Sequence, residues 1–435
     1  MKILIISYSF YPQLNPRAFR WTSIARYWKE KGYDVTVVTN VDDADSDSDG
    51  DNDYKIVRVP ENHFGRLRRK LSNKQNSQRN VIGNQYSYRS ALNPIKKLLK
   101  VLYQYTLKNC QWPDYAWSWI GPSKRAILQL IKLNGEFDAV ISVSHPFSSH
   151  IIAKSVKKHY PDTTWIMDNG DPFCFNSVNS NNIFLYDSLN KKIECQCIKE
   201  SDGFAVTTEE TKEEYIHLFP HLENKVFVIP PLLNPELEKL KEENKPLNES
   251  TQEIIKLVFV GTLYSDIRNP TYFLRTLDQV SRKVGKKIEV DFYGNINDFD
   301  LSKLDIKNIK VSFFGSVERD VAYQKMLEAD GLVNIGNQTS YQLPSKLVEY
   351  AFLGKPILNI SSIRNDSSAR FLKNHNQSKT INFRDKDKSD AISDLEEFLN
   401  FKCEEDGNYS IQWLDSYRIV SIIESYESLF IKKLA

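Results

Sequence analysis

The segment Gln342-Leu-Pro-Ser-Lys-Leu-Val-Glu-Tyr-Ala-Phe-Leu-Gly-Lys-Pro356 carries the residue types and spacing best suited to chemistry. Pro344 suits a first helical turn, Gly354 suits a C-terminal cap and Pro356 blocks continuation, so the spacing predicts a short helix with a fixed start. Unbonded backbone N–H groups and the helix dipole at such a start form a ready diphosphate site. Ser345 and Glu349 stand at i, i+4 and share a face, while Lys346 adds a cation in the first turn. A carboxylate one turn inside a phosphate-binding helix start can accept both hydroxyls of a ribose. The same residues also fit a plain capped helix with an ion pair.

Other chemical motifs fail on their context. Residues 42–53 hold seven aspartates, and Asp45-x-Asp47-x-Asp49-Gly50 opens like a calcium loop. The twelfth position is Ile56 instead of a bidentate Glu, and a strand precedes the run, so a solvated loop fits better. The Asp-x-Asp triplets, of a kind that holds metal-bound sugar nucleotides in another transferase fold, fall to the same argument. Cys195-x-Cys197 with His217-x3-His221 lacks zinc-finger spacing, and Pro220 breaks the helix that would align both imidazoles. No glycine fingerprint follows the first strand, and no Gly-Lys-Ser/Thr phosphate loop occurs, which argues against NAD chemistry and ATP hydrolysis. No metal and no cofactor is expected.

The elements that must position these residues read as α/β units. Lys2–Ser7 is a strand, a turn-rich loop follows, a helix runs from about Arg17 to Lys31, and Asp34–Thr39 is a second strand. Further strands read at 137–144, 164–168, 203–208 and 225–229, with a helix near 150–159. Near-continuous Ile/Val strands imply parallel sheets covered on both faces. A second series reads at 256–260, 288–293, 311–314, 331–335 and 356–360, after a charged stretch at 235–253 that reads as a linker. The domain expectation is therefore 1–235, then 254–409, then an amphipathic helix within 410–435 packing back on the first domain.

Composition limits the partners. The 435 residues, 41% hydrophobic and 26% charged, can bury real cores, and 58 Lys+Arg against 56 Asp+Glu leave a net charge of +2, which speaks against nucleic acid. Five scattered cysteines suit free thiols in a reducing compartment. The short apolar opening lacks a signal peptide's core, and no run of apolar residues is long enough to span a bilayer, so the expected location is cytoplasmic. Residues 62–113 hold eleven Lys/Arg and no acid, with Ile95, Leu98, Leu99 and Leu102 on one face of a basic helix. Such a helix suits either an anionic membrane surface or ordinary packing on a core.

Across most of its length the chain resembles glycosyltransferase family 4. The resemblance rests on Ser7-Tyr-x-Phe-Tyr-Pro…Arg20-Trp, Lys31-Gly-Tyr-Asp-Val-Thr-Val-Val-Thr39, Val228-Ile-Pro-Pro, Val260-Gly-Thr-Leu, Phe314-Gly-Ser-Val, Pro-Ser-Lys-Leu-Val-Glu-Tyr and Gly-Lys-Pro. Trp112-Pro-Asp, Phe137-Asp, Ser148-Ser-His150 and Trp165-Ile-Met-Asp-Asn-Gly-Asp-Pro-Phe173 are similar to a bacterial subgroup that builds surface polysaccharides such as capsule and lipopolysaccharide. Residues 41–111 are not covered. The family implies retaining enzymes of the α/β GT-B fold, two Rossmann-like domains facing a cleft.

By this resemblance Glu349 holds the donor ribose. The amides of Ser345 and Lys346, approached through Leu343 and Pro344, hold the diphosphate with Arg268. Gly315 to Val317 face the base, Gly261 and Thr262 line the donor site, and Arg17 closes on the phosphates. Two positions depart from the family: Tyr341 replaces a glutamate that touches the donor sugar, and Thr262 stands where a basic residue is usual. On the acceptor side Asp171 is favoured, with Asp168 and His150 as rivals, and a carboxylate capping the Asn169-Gly170 turn fits equally well. The implied partners are a nucleotide-sugar donor, a lipid-linked glycan acceptor and the anionic inner face of the plasma membrane. Rival readings are a nucleotide-sugar epimerase or phosphorylase on the same fold, or a sugar-nucleotide-binding subunit without turnover.

Overall fold

The computed structural model describes residues 1–13, 15–41, 54–66, 111–176, 183–243, 254–264, 268–297, 305–383, 388–400 and 411–431. The acidic run 42–53 and the basic helix expected near 95–108 lie outside them.

The first part of the chain forms β1 (Lys2–Ser7), α1 (Pro16–Glu30), β2 (Asp34–Asn40), β3 (Lys55–Val59), α2 (Trp117–Asn134), β4 (Ala139–Ser144), α3 (Ser148–His159), β5 (Thr164–Asn169), α4 (Ile183–Glu200), β6 (Gly203–Val206), α5 (Glu209–Leu218) and β7 (Val226–Val228). The strands make one parallel sheet in the order β3-β2-β1-β4-β5-β6-β7. β4, β5 and β6 are buried along their whole length, as strands covered on both faces must be, so their apolar residues do not alternate with exposed polar ones, and Ser142, Ser144, Thr164, Asp168 and Asn169 are buried among them. Strand order reverses between β1 and β4, the place where doubly wound sheets bind ligands beyond the carboxyl ends of their strands.

The helices follow local rules. α1 begins where the Asn15 side chain accepts from the Ala18 N–H at 2.9 Å, with Pro16 in the first turn, and it buries Ala18, Trp21, Ile24, Ala25 and Trp28. Trp21 and Trp28 then pack on Tyr426 and Phe430 of the last helix, with ring centroids 5.3 to 6.2 Å apart.

The second part forms α6 (Pro235–Glu243), β8 (Ile254–Val260), β9 (Leu263–Tyr264), α7 (Thr271–Val284), β10 (Lys287–Tyr293), β11 (Ile296–Asn297), β12 (Ile309–Gly315), α8 (Arg319–Glu328), β13 (Gly331–Ile335), α9 (Ser345–Leu353), β14 (Ile357–Ser361), α10 (Ser367–Phe371), β15 (Ser378–Asn382), α11 (Lys388–Phe398) and α12 (Ile419–Ile431). Its main sheet is parallel in the order β12-β10-β8-β13-β14-β15, the same winding as the first, with the reversal between β8 and β13. One face packs Phe273, Leu274, Leu277 and Phe398, and the other packs Tyr323, Met326, Leu347, Tyr350 and Leu414.

Two compact units result: Met1–Val206 with Lys212–Ile229 and Ile423–Ala435, and Thr207–Thr211 with Pro230–Ile422. The sequence reading differs in two places. Residues 235–243 of the expected linker are helix α6, whose Leu237 is fully buried in the second unit and whose Lys241 donates to the Phe352 carbonyl at 2.6 Å. The expected helix over 410–430 is instead a 3-10 turn, Gln412–Tyr417, then α12. Arg418 between them is extended, φ −74° and ψ 154°, and its guanidinium bonds Glu238 and Asp415.

Candidate functional site

In the second unit the residues singled out from sequence converge at the carboxyl edge of the sheet. α9 starts at Ser345 behind Pro344, with no side-chain cap, so its first amides keep their donors for a ligand. Gly354 ends the helix in the left-handed region, φ 71°. Every residue from Leu347 to Leu353 is buried, which roots the helix in the core and leaves only its first turn to act.

Glu349 is 5% exposed and already engaged. Its Oε2 pairs with Lys346 Nζ at 2.6 Å. Its Oε1 accepts from the Tyr323 hydroxyl at 3.1 Å and from Arg319 Nη2 at 3.5 Å. Burial and the neighbouring Glu349 carboxylate push the Tyr323 phenol far above its usual range. Arg319 and Tyr323 went unnoticed in the sequence because their value lies in a contact 30 and 26 residues distant.

The approach to α9 is fixed by its carbonyls. Arg370 donates to Ser340 O, Thr208 and Thr211 donate to Tyr341 O at 2.6 and 2.8 Å, and Ser367 donates to Gln342 O at 2.5 Å. Three consecutive carbonyls are thus held by side chains, which fixes the path of the chain into the helix. Tyr341, where the family pattern has an acid, is positioned through its backbone.

Arg268 crosses to the end of β13, donating from Nε and Nη2 to Asn337 Oδ1 at 2.9 and 2.7 Å. That places a guanidinium at the β8/β13 reversal. β8, β10 and β12, adjacent in the sheet, each run out into a glycine: Gly261, Gly294 and Gly315. A Cβ on Gly294, φ 132°, would lie 1.9 Å from Gly261 O, so only glycine lets these strand ends approach. Gly315 has φ 72°, and Val317 two residues on packs partly buried on the core. Thr262 lies half-buried beside Gly261.

In the first unit, Asp168 and Asn169 close β5. Asp168 is 1% exposed and accepts from Arg17 Nη1 at 2.9 Å, Trp21 Nε1 at 2.9 Å and the Tyr426 hydroxyl at 2.6 Å. Burial alone would raise its pKa, but Arg17 and Arg20, with the Tyr426 and Trp21 hydrogen bonds, hold it below the ordinary carboxylate value. Gly170 makes room for this pair, since a Cβ there would meet Arg17 Nη2 at 1.0 Å. His150, in the first turn of α3, is fully buried, with Nδ1 2.7 Å from Ser142 Oγ, and burial drives its pKa down to about 3. Asp168 and His150, expected as rivals for the acceptor side, are thus both buried in this structure, where their side chains tie elements together. Asp171 remains, partly exposed, in the loop after β5.

A residue passed over in the sequence is His145, directly beyond β4 at the β1/β4 reversal and partly exposed. It packs on Tyr115, which packs on Tyr8 beyond β1, at centroid distances of 5.4 and 5.5 Å. The placement of His145 at a strand's carboxyl end was the signal available. Trp112-Pro-Asp114 proves structural: Asp114 accepts from the Ser148 N–H at 2.9 Å and so caps α3, while Trp112 donates to Asn190.

Two doubly wound parallel sheets in tandem, each with its own order reversal, are the architecture of the α/β GT-B glycosyltransferases, and solved structures of such enzymes share it. The chain is similar to a point mutant of S. aureus TarM, crystallised with fondaparinux, α-GlcNAc-glycerol and UDP: TM-score 0.59, 12% identity, 99% of both chains covered. It is similar to the apo form of the lipopolysaccharide outer core galactosyltransferase WaaB: TM-score 0.58, 12% identity, 100% of both chains. A glycosyltransferase from Rickettsia africae ESF-5 gives TM-score 0.54 and 13% identity over 100% of this chain and 98% of that one. No protein-family model and no curated protein matches the sequence. Among the described residues no helix is long and apolar enough to cross a membrane, and no cluster of three His, Cys, Asp or Glu could hold a metal ion.

Proposed function

We propose that this protein is a retaining glycosyltransferase of family 4 that moves a sugar from a nucleotide-diphosphate donor to a hydroxyl of a lipid-linked glycan in surface-polysaccharide synthesis. The observation that carries the reading is the uncapped start of α9, with Lys346 in its first turn and the buried carboxylate of Glu349 behind it. UDP in the TarM crystal and the lipopolysaccharide role in WaaB's name support the substrate classes. Retention and the lipid-linked acceptor follow from the sequence resemblance.

The reaction needs a stabilised leaving diphosphate and an acceptor hydroxyl that loses its proton as it attacks. The amides of Ser345 and Lys346, the Lys346 ammonium and Arg268 supply the positive field, and in this reading no metal is required. Glu349 keeps acceptor capacity for a ribose hydroxyl, since a carboxylate offers about four positions and three contacts occupy it. In the first unit Asp171 and His145 are partly exposed titratable groups beyond strand ends, and in this reading they serve the acceptor. The basic segment 62–113 draws the protein to the anionic cytoplasmic face of the plasma membrane.

A thermal-shift panel of nucleoside diphosphates and their sugars, without added metal, tests the donor site by mass action. A base-selective rise in melting temperature is expected, and no shift with any of them would remove the nucleotide reading. For the membrane, charge reversal of Lys96, Lys97 and Lys100 should weaken binding to anionic vesicles in a salt-dependent manner. Undiminished binding would leave that segment an ordinary core element.

A further inference from the structure

The Tyr323 hydroxyl has one proton to give and two lone pairs to fill. Arg319 Nε donates to it at 2.6 Å and Asn234 Nδ2 donates to it at 2.6 Å, which fills both. The phenol proton must therefore point along the remaining contact, to Glu349 Oε1 at 3.1 Å. The direction of the Asn234 amide is fixed as well, because its Oδ1 accepts from the Glu236 N–H at 3.0 Å at the start of α6. Asn234 is 3% exposed and Tyr323 is fully buried, so water does not compete for these positions. The Tyr323 ring also carries Arg319 and Lys346 at 5.2 and 5.0 Å from its centroid, and both cations contact Glu349.

We infer that Tyr323 and Asn234 are positioning residues that hold the Glu349 carboxylate at the rotation in which it reads a ribose. The inference rests on the nucleotide reading above and adds to it what makes the site selective for ribose hydroxyls. Without the phenol proton, Oε1 has only the long Arg319 contact, and the carboxylate is free to turn toward Lys346. Asn234 caps the start of α6 four residues after the chain enters the second unit at Pro230, so the first residues of that stretch take part in setting the site.

The test compares binding of UDP, ADP and GDP with that of their 2′-deoxy counterparts by calorimetry, in the full chain and in Tyr323→Phe. A lost hydroxyl that served only packing weakens ribo and deoxy ligands alike. Loss of positioning narrows the ribo-to-deoxy ratio, by about fivefold for one hydrogen bond. Asn234→Ser, which keeps the helix cap but removes the donor, should narrow the ratio less, and it stands in if Tyr323→Phe does not fold. Tyr350→Phe, which removes another buried hydroxyl of the same unit, should cost stability and leave the ratio unchanged. Folded Tyr323→Phe with an unaltered ratio would overturn the inference while leaving the nucleotide site standing. A wild-type protein that binds none of the diphosphates would overturn the nucleotide reading and this inference with it.

Discussion

Lys346 and Glu349 pair at 2.6 Å across the first turn of α9, so the cation that opens the helix and the carboxylate behind it neutralise each other. A diphosphate arriving at the helix start competes for that ammonium. Lys346→Met is expected to weaken nucleoside diphosphate binding by about tenfold or more, the worth of a charge-assisted hydrogen bond. The free nucleoside, which has no phosphates, should lose far less. Titration calorimetry with UDP and uridine separates the two, and equal losses for both would move Lys346 away from the phosphates.

Two glycines predict opposite degrees of tolerance. In Gly294→Ala the added methyl would meet backbone, Gly261 O, at 1.9 Å in a left-handed conformation, and the strand ends of β8 and β10 cannot yield without breaking the sheet edge. A loss of at least about 2 kcal/mol in urea unfolding is expected. In Gly170→Ala the methyl meets only the end of the Arg17 side chain, which can swing aside. Asp168 would then keep Trp21 and Tyr426, and the cost should stay near 1–2 kcal/mol. Equal midpoints for the two variants would contradict the close approach at Gly294.

Much of this fold was legible because a parallel strand covered on both faces carries apolar residues on both, and β4, β13 and β14 are mostly apolar with single buried Ser or Asn residues among them. The start and end of α9 were legible because Pro344 and Gly354 act through backbone geometry that is local. Residues 235–243 were misread because charge dominates their composition, although Leu233, Leu237 and Leu240 already had helical spacing. His150 and Asp168 were misplaced for a different reason. A polar residue near a strand's end has the same letter whether it faces ligand or core, and the Tyr426 contact that helps to bury Asp168 comes from 258 residues away. The Asn234–Tyr323–Glu349 chain joins three sequence regions and has no local signature at all.

Thr208 and Thr211, in the first turn region of α5 and part of the second unit, both donate to Tyr341 O. The double substitution to Val keeps shape and removes both hydroxyl donors to that carbonyl. About 1–3 kcal/mol of stability should be lost. If the clamp also sets the start of α9, UDP affinity should fall several-fold at a temperature where the variant is fully folded. A melting shift with unchanged UDP affinity would limit the two threonines to a structural role.

His150 makes acid stability a readout of its burial. Its ordinary pKa of 6.5 applies in the unfolded chain, while burial, opposed by Asp168 and aided by Arg17, brings it to about 3 in the fold. Between these values the unfolded chain binds a proton that the native protein does not, so stability present above pH 6.5 is lost as pH falls toward 3. The slope approaches about 1.4 kcal/mol per pH unit. Asp168, with its pKa held low, surrenders its own contribution only below the ordinary carboxylate value, but burial pushes His375 down to about 4 and it contributes in the same range, so the difference between the wild-type protein and a His150 variant is what isolates this imidazole. His150→Asn, which retains a polar partner for Ser142, is expected to be less stable at neutral pH and to keep only the shallower dependence that His375 contributes, so the two proteins converge in urea titrations as the pH is lowered. Parallel curves would mean that the imidazole accepts its proton without leaving the folded state.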